Sequence, residues 1–192
     1  MTDNAVMNSL LLRAAFDHNV QNFVFFSCTV MYMSSEQPLR EEDFDASQEI
    51  HPRYHGVGWT KVYVEKMCEF YSRIGGTRYT SIRHSNIYGP HDKFDWEKSK
   101  VIPALIRRAV ERQNPFVVWG NGMDLKDFLY IDDYIDGMLL AMEKLDIFQP
   151  INIASGKPVT IRDVIQEILI ATDYQNRNLF KPVFELTLTK ST

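Results

Sequence analysis

The sequence predicts an α/β fold in which helices cover both faces of a largely parallel β-sheet. Helical and strand patterns alternate along the chain, and this order is typical of β-α-β crossovers. The strand patterns are short, unbroken apolar runs such as NFVFFS (22–27), which favour strands that are buried on both faces. The helical patterns are longer and carry their apolar residues on one side.

The first half of the chain supplies two helices and two strands. The spacing of apolar residues predicts a helix over 4–16, and NFVFFS follows it as the first strand. Residues 34–55 are polar and contain two prolines, so we expect a long loop there. A second helix begins at Trp59 and ends at Gly75, and the strand RYTSIRHS (78–85) comes next.

The second half continues the alternation of helices and strands. The predicted elements are a helix over 101–112, the strand FVVWG (116–120), a helix over 132–145, the strand INIAS (151–155) and a helix over 161–172. Thr160 and Asp163 have the spacing of a capping box at the start of the last helix. The stretch FELTLTKST (184–192) has strand propensity but no visible partner strand.

The composition limits the classes of function. A chain of 192 residues with 45% hydrophobic content can bury the core of one domain, or of one domain and a small lobe. Its net charge of −4 argues against nucleic acid or an anionic membrane as the main partner. The apolar runs are too short for a membrane span, the N-terminus is polar and there are only two cysteines, so we expect a cytoplasmic protein.

One histidine pair has a spacing that occurs in metal sites. His51 and His55 stand four residues apart, but Pro52 lies between them and interrupts the helix that this spacing needs. No metal site is predicted.

The segment YHGVGWTK (54–61) contains half of a catalytic pair. In a helix, a tyrosine four residues before a lysine lies beside the ammonium, which lowers the phenol's pKa and lets it transfer protons. Here Lys61 is present, but Val57 stands where the tyrosine would be. Gly56 and Gly58 make a continuous helix unfavourable, so a loop that folds back could bring Tyr54 toward Lys61; this is a hypothesis about the proton source.

Three further stretches, by their order along the chain, support a functional role for Lys61. They are FVFFSCTVMY (23–32), IRHSNIYGPHDKF (82–94) and FVVWGNGMDLKDFLYIDD (116–133), and the first two place small polar residues at strand ends, where open α/β sheets bind ligands. With Lys61 they resemble the extended short-chain dehydrogenase/reductase family of nucleotide-sugar epimerases, dehydratases and reductases, and within it the fucose-synthase-like branch. The resemblance runs from Asn4 to about Tyr174.

The resemblance implies a Rossmann-like fold with two parts. Residues 1–92 would be the C-terminal part of a dinucleotide-binding domain, and residues 93–192 would carry a small substrate lobe together with returning Rossmann strands. The family's opening Gly-x-x-Gly-x-x-Gly turn, which receives the cofactor pyrophosphate, has no counterpart in this sequence. We therefore expect a fragment of a longer reading frame, truncated at its N-terminus, or alternatively a protein that has given up the cofactor.

The resemblance also implies catalytic and cofactor-binding residues. The family's strand-end serine or threonine falls on Cys28; because a thiol is a weak hydrogen-bond donor, Thr29 or Ser27 would take its role. The family's lysine falls on Lys61 and its active-site histidine on Lys100. The implied cofactor is NADP or NAD, and the residues implied to contact it are Ser27, Lys61, His84, Ser85, Asn86 and Ile87.

The implied substrate is a nucleotide sugar. The residues implied to bind it are Asn86, Val101, Arg108, Trp119 and Lys126. Lys126 replaces an arginine of the family, which keeps the charge and loses the bidentate geometry. The family also forms homodimers through a two-helix face, to which residues 59–74 would contribute. A catalytically silent sugar-nucleotide-binding or scaffold protein is the alternative to an active enzyme.

Overall fold

The computed structural model describes residues 1–33, 35, 37–118 and 120–174. Its helices and strands alternate along the chain. They are α1 (Thr2–Asp17), β1 (Asn22–Phe26), α2 (His55–Ile74), β2 (Arg78–His84), β3 (Asn86–Tyr88), α3 (Val101–Val110), β4 (Leu125–Tyr130), α4 (Ile131–Lys144), β5 (Pro150–Ile153), β6 (Pro158–Thr160) and α5 (Ile161–Ala171). The predicted strand over 184–192 lies outside the described residues.

The chain forms two compact units, and the first contains residues 1–87 and 129–156. Its sheet has the strand order β1-β2-β5, and both pairs of neighbours are parallel. Ile82 in the central strand lies opposite Phe26 on one side and Ile151 on the other. The predicted α/β class with a parallel sheet is confirmed.

Helices cover both faces of this sheet. On one face, α1 and α2 pack against the strands through a cluster of buried side chains: Leu12, Phe25, Val64, Cys68, Tyr71 and Tyr79. On the other face, α4 contributes Tyr134 to a cluster with Ile82 and Leu129. Since side chains alternate between the faces of a strand, Val24 packs with the second cluster and Phe25 with the first.

Of the described residues, the second unit contains those within the ranges 88–128 and 157–174. A three-stranded sheet has the order β3-β4-β6, and in this unit β4 pairs with β6 in the antiparallel direction, with Lys126 opposite Val159. Helices α3 and α5 enclose a separate core formed by Leu105, Ala109, Phe116, Val118, Ile165, Ile168 and Leu169. Thr160 and Asp163 form the predicted capping box at the start of α5.

The predicted strand FVVWG is wrong over its described residues. Residues 116–118 have no strand pairing. Phe116 is completely buried and Val118 nearly so, because both pack against α3 and α5. Apolar burial against helices, and not hydrogen bonding in a sheet, accounts for this apolar run.

The prediction that Gly56 and Gly58 interrupt the second helix is also wrong. Helix α2 begins at His55, four residues earlier than predicted, and passes through both glycines. A Cβ atom on Gly58 would lie 2.7 Å from Cδ1 of the buried Ile50. The missing side chain therefore permits a close approach of the preceding loop to α2, and it does not bend the helix. That loop contains single 3-10 turns at Glu41–Asp43 and Pro52–Tyr54.

No helix in the described part of the chain is long and apolar enough to cross a membrane.

Candidate active site

The carboxyl ends of β1 and β2 bring several of the predicted residues to one edge of the parallel sheet. Ser27 follows β1 and donates its backbone N–H to the carbonyl of Ile82, at 2.8 Å. The hydroxyl of Thr29 lies 3.4 Å from the carbonyl oxygen of His84. Ser85 follows β2 and is held by the carbonyl of Ile153, at 3.1 Å. The chain direction in a parallel sheet places all of these at the edge where such sheets bind ligands.

Lys61 reaches this edge from α2. Its Nζ atom donates a hydrogen bond to the carbonyl of Phe26, at 2.5 Å, and lies 4.7 Å from the ring centroid of Phe25. Burial lowers the pKa of Lys61 below its ordinary value, against the opposing attraction of Cys28 and Glu65. A half-buried ammonium of this kind is a hydrogen-bond donor whose proton is held less tightly than in water.

Cys28 lies beside Lys61 and is partly exposed. Burial raises the pKa of its thiol, although the positive charges of Lys61 and Arg83 act in the opposite direction. Cys28 is therefore a protonated thiol at neutral pH. This form can give up a proton but is a poor nucleophile.

Two hydroxyl groups at the same edge are buried without hydrogen-bond partners among the described residues. They are Oγ of Ser27 and Oγ of Ser85. Burying a hydroxyl without a hydrogen-bond partner lowers the free energy of unfolding by about 1–3 kcal/mol. Such groups are therefore rare unless a bound ligand supplies the missing hydrogen bond. Hydroxyl and ammonium donors match the ribose hydroxyls and carboxamide of a nicotinamide nucleotide, and the residues present fit that group.

The structure places no phenol on the turn of α2 before Lys61. Val57 occupies that position and is 43% exposed. Tyr54 ends the 3-10 turn before α2, and the continuous helix separates it from Lys61 by roughly 10 Å along the axis. The hypothesis that a loop folds back through Gly56 and Gly58 to carry Tyr54 to the lysine is wrong, because those residues are helical.

A buried ion pair lies one helical turn beyond Lys61, and the sequence analysis missed it. Glu65 and Arg83 are 4% and 3% exposed, respectively. Arg83 Nη2 lies 2.6 Å from Glu65 Oε2, and Arg83 Nε lies 3.1 Å from Glu65 Oε1. Burial opposes the charge on Arg83, but its hydrogen bonds and attraction to Glu65 outweigh that cost and raise its pKa. The two-point geometry joins α2 to β2 rigidly.

The ion pair extends into a polar network. Arg83 donates to the hydroxyl of Tyr32, at 2.8 Å, and that hydroxyl donates to Asn152 Oδ1, at 2.8 Å. Tyr32 follows the short turn that begins just after Cys28. The network therefore ties together the elements that carry Lys61, Cys28 and His84. A charged residue, Arg83, directly after Ile82 in the strand 78–84 was the signal in the sequence for a buried polar contact.

Most of the predicted substrate-binding residues belong to the second unit, whereas Asn86 belongs to the first. Arg108 lies on α3; one of its Nη atoms donates to the carbonyl of Val117, and its Nε atom is buried with no partner among the described residues. Lys100 precedes the first turn of α3, Val101 begins it, and Lys126 is exposed on β4. Trp119 lies outside the described residues. The described residues contain no group of three His, Cys, Asp or Glu side chains suited to a metal ion.

Comparison with known proteins identifies the family. Residues 1–154 match the NAD dependent epimerase/dehydratase family, which is more than half of the chain. The chain belongs to this family. It is 32% identical over 191 residues to GDP-L-fucose synthase of Escherichia coli K12, covering 92% of this chain and 59% of that enzyme. The chain thus spans somewhat more than half the length of this curated relative.

Solved structures agree with the family and with a Rossmann-like fold. A GDP-L-fucose synthetase from Naegleria fowleri bound to NADP superimposes with a TM-score of 0.83 at 25% identity, covering 91% of this chain and 55% of that one. A UDP-glucose 4-epimerase from Thermotoga maritima with UDP-glucose gives a TM-score of 0.79 at 26% identity, covering 93% and 56%.

Proposed function

We propose that this protein is a nucleotide-sugar epimerase and reductase of the GDP-L-fucose synthase type, and that it uses NADP or NAD. The observation that carries the proposal is the half-buried ammonium of Lys61 at the carboxyl edge of the parallel sheet. The chain that carries this lysine is 32% identical to a protein named GDP-L-fucose synthase. The substrate would be a GDP-4-keto-6-deoxy sugar.

The residues that we propose for the cofactor all belong to the first unit. They are Ser27, Lys61, His84, Ser85, Asn86 and Ile87. The unpartnered hydroxyls of Ser27 and Ser85 would donate hydrogen bonds to the bound nucleotide. Lys61 would bind ribose oxygens and hold positive charge near the reacting carbon. A nicotinamide cofactor, when bound, supplies or accepts a hydride.

Most of the residues that we propose for substrate binding belong to the second unit. Arg108 and Lys126 carry positive charge suited to a diphosphate, and the buried Nε atom of Arg108 has a free donor position among the described residues. Val101, Trp119 and Asn86 complete the proposed substrate set.

The proposed reaction also needs a residue that donates a proton. Val57 cannot transfer a proton, and the continuous helix keeps Tyr54 away from Lys61, so we assign the role to one of Cys28, Thr29 or Lys100. Burial raises the pKa of the Cys28 thiol, so this group holds its proton more tightly than an exposed thiol and would be a weak general acid.

Oxidation of NADPH tests the proposal. The protein is mixed with NADPH and a panel of 4-keto nucleotide sugars, and absorbance at the nicotinamide band is followed. We expect oxidation with a GDP-linked 4-keto sugar and its loss in Lys61→Met. Absence of oxidation with every sugar, in protein shown to bind both ligands, would refute the enzymatic proposal.

One observation favours a second candidate function. Because Val57 replaces the usual phenol, the protein could bind sugar nucleotides without turning them over, as a silent binding or scaffold protein. Calorimetry together with the NADPH assay distinguishes the two: the silent protein binds the nucleotide sugar and oxidises no NADPH, whereas the enzyme binds the sugar and oxidises NADPH.

We also propose a cytoplasmic homodimer. Helices α1 and α2 contact each other, with Ser9 Oγ 3.1 Å from the hydroxyl of Tyr63. Both helices carry exposed apolar side chains, including Leu10 at 65% and Phe70 at 52%. Such side chains on neighbouring helices favour association with a second copy.

A further inference from the structure

An exposed tryptophan in the second unit has no role in the site described above. Trp96 lies in the connection between β3 and α3 and is 47% exposed. Phe94, two residues earlier, is 41% exposed. Aromatic side chains of this size normally contribute their area to a core, so an exposed one that is held in place is a candidate ligand contact.

The backbone around Trp96 is fixed by local hydrogen bonds. Asp95 Oδ1 accepts the backbone N–H groups of Glu97 and Lys98, at 2.8 and 2.9 Å. The hydroxyl of Ser99 donates to the carbonyl of Lys93, at 2.6 Å. These bonds join residues before and after Trp96, so they fix its backbone position without a bound ligand.

A guanidinium group supports the indole ring. Cζ of Arg107 lies 4.4 Å from the ring centroid of Trp96, which is within the range of a cation–π contact. Arg107 is itself held at two points, by Glu111 Oε1 at 2.7 Å and by the carbonyl of Phe94 at 2.5 Å. The indole therefore lies against a fixed cation while nearly half of the residue remains exposed.

Arg108 adds an anion-binding group beside this aromatic surface. Its Cζ atom lies 6.0 Å from the same ring centroid. Its Nε atom is buried and has no partner among the described residues, so it can donate a further hydrogen bond. A flat aromatic surface next to a free guanidinium donor matches a ligand that combines a planar base with a negatively charged phosphate.

We propose that Trp96 is a stacking platform for the purine base of the nucleoside diphosphate carried by the sugar substrate. Arg107 holds the indole in place, and Arg108 binds a phosphate of the same molecule. This inference rests on the proposed function, because it names the part of the substrate that the second unit contacts. It assigns base recognition to a residue outside the predicted substrate set.

Calorimetric titration of GDP and of inorganic pyrophosphate separates the base from the phosphates. Loss of one stacked base typically weakens binding roughly ten- to hundredfold. We expect Trp96→Ala to weaken GDP binding by that factor and to leave pyrophosphate binding unchanged. Trp96→Phe, which keeps an aromatic face, should lose less than about fivefold. Arg108→Ala should weaken both ligands.

Three outcomes contradict the inference or its basis, and they differ from one another. If Trp96→Ala binds GDP as the unmodified protein does, while Arg108→Ala binds it weakly, the base lies elsewhere and the proposed function stands. If Trp96→Ala loses GDP and pyrophosphate equally, the residue has a structural role, and the inference is overturned. If the unmodified protein binds neither GDP nor a GDP-sugar, the proposed function fails together with the inference.

Discussion

Val57 occupies the position at which a phenol would lie beside the ammonium of Lys61. It stands one helical turn before Lys61, is exposed, and lies in a continuous helix. A tyrosine at this position would have room for its ring and would lie on the same helical face as the ammonium. The local geometry for a phenol–lysine pair is thus present without the phenol.

Replacing Val57 tests whether the missing phenol limits turnover. We expect Val57→Tyr to raise the rate of NADPH oxidation with a 4-keto nucleotide sugar at least tenfold, since general acid–base catalysis contributes about 10²–10⁴-fold. Val57→Phe is the matched control, because it adds the ring without the hydroxyl. Equal rates for Val57→Tyr and Val57→Phe would show that the proton comes from another group.

The phenol of Tyr134 makes the free energy of unfolding depend on pH in the alkaline range. Burial raises the pKa of its phenol from 10.0 to about 12. Above pH 10 the unfolded chain loses this proton while the folded protein keeps it, so stability that is complete below pH 10 is lost as the pH rises through 12.

The variant Tyr134→Phe removes this dependence. We expect its stability relative to the unmodified protein to improve by about 1 kcal/mol between pH 8 and pH 11. Urea unfolding at the two pH values measures the change. If the free energies of unfolding of the variant and the unmodified protein differ by the same amount at pH 8 and pH 11, then Tyr134 ionises at its ordinary pKa in the folded protein.

At the scale of elements, the first turn of α2 depends on close packing with the loop before it. Gly58 allows the buried Ile50 to approach, and an alanine Cβ would lie 2.7 and 2.9 Å from two of its carbon atoms. Alanine favours a helix over glycine by about 1 kcal/mol, but overpacking a core costs about 1–3 kcal/mol.

We therefore expect Gly58→Ala to destabilise the protein by about 1 kcal/mol, in spite of its better helix propensity. Chemical denaturation measures the change. Gly76→Ala is the control, because a Cβ there would meet nothing within 4 Å and the backbone conformation suits alanine. Stabilisation by Gly58→Ala would show that Ile50 moves aside without cost.

The ion pair between α2 and β2 gives a second prediction at this scale. Arg83→Met leaves the carboxylate of Glu65 buried and unpaired, so we expect a loss of about 3–5 kcal/mol. The double variant Glu65→Leu/Arg83→Met removes both charges and should recover much of that loss. Denaturation of the single and double variants tests this prediction. Additive losses would mean that the two side chains stabilise the fold independently.

At the scale of the whole molecule, the alternating pattern was sufficient to predict the parallel sheet and its covering helices. The second sheet was not predictable in the same way. Its strands are three to six residues long, and β4 includes the exposed Leu125 and Lys126, so no unbroken apolar run marks them. The apolar run at 116–118 was misassigned because periodicity does not distinguish a strand from a segment buried between helices.

The site was predictable only in part. The grouping of strand-end residues with Lys61 follows from the direction of parallel strands, and the structure brings Ser27, Thr29 and His84 to one edge. The partners of Arg83 are 18 to 51 residues away in sequence, so the charge within a predicted strand marks a buried polar residue but does not indicate which side chains pair with it. Exposure of Trp96 likewise depends on tertiary structure.

The proposed dimer provides a prediction for the whole molecule. We expect the protein to sediment as a dimer and the variant Leu10→Lys/Phe70→Lys to sediment as a monomer, because two buried charges would oppose association. Ile147→Lys is the control, since this residue is 81% exposed and lies outside α1 and α2. A monomeric unmodified protein at micromolar concentration would contradict the proposal.

The two cysteines also differ in a way that is useful in the laboratory. Cys68 is completely buried, and burial raises its pKa to about 12, whereas Cys28 is partly exposed at the carboxyl edge of the sheet. A thiol-directed fluorophore should therefore attach to Cys28 and not to Cys68, although burial also raises the pKa of Cys28 and slows its labelling at mildly alkaline pH. The chain carries a built-in, single-site spectroscopic reporter at the edge of the sheet where ligands are proposed to bind, without the need to engineer a cysteine.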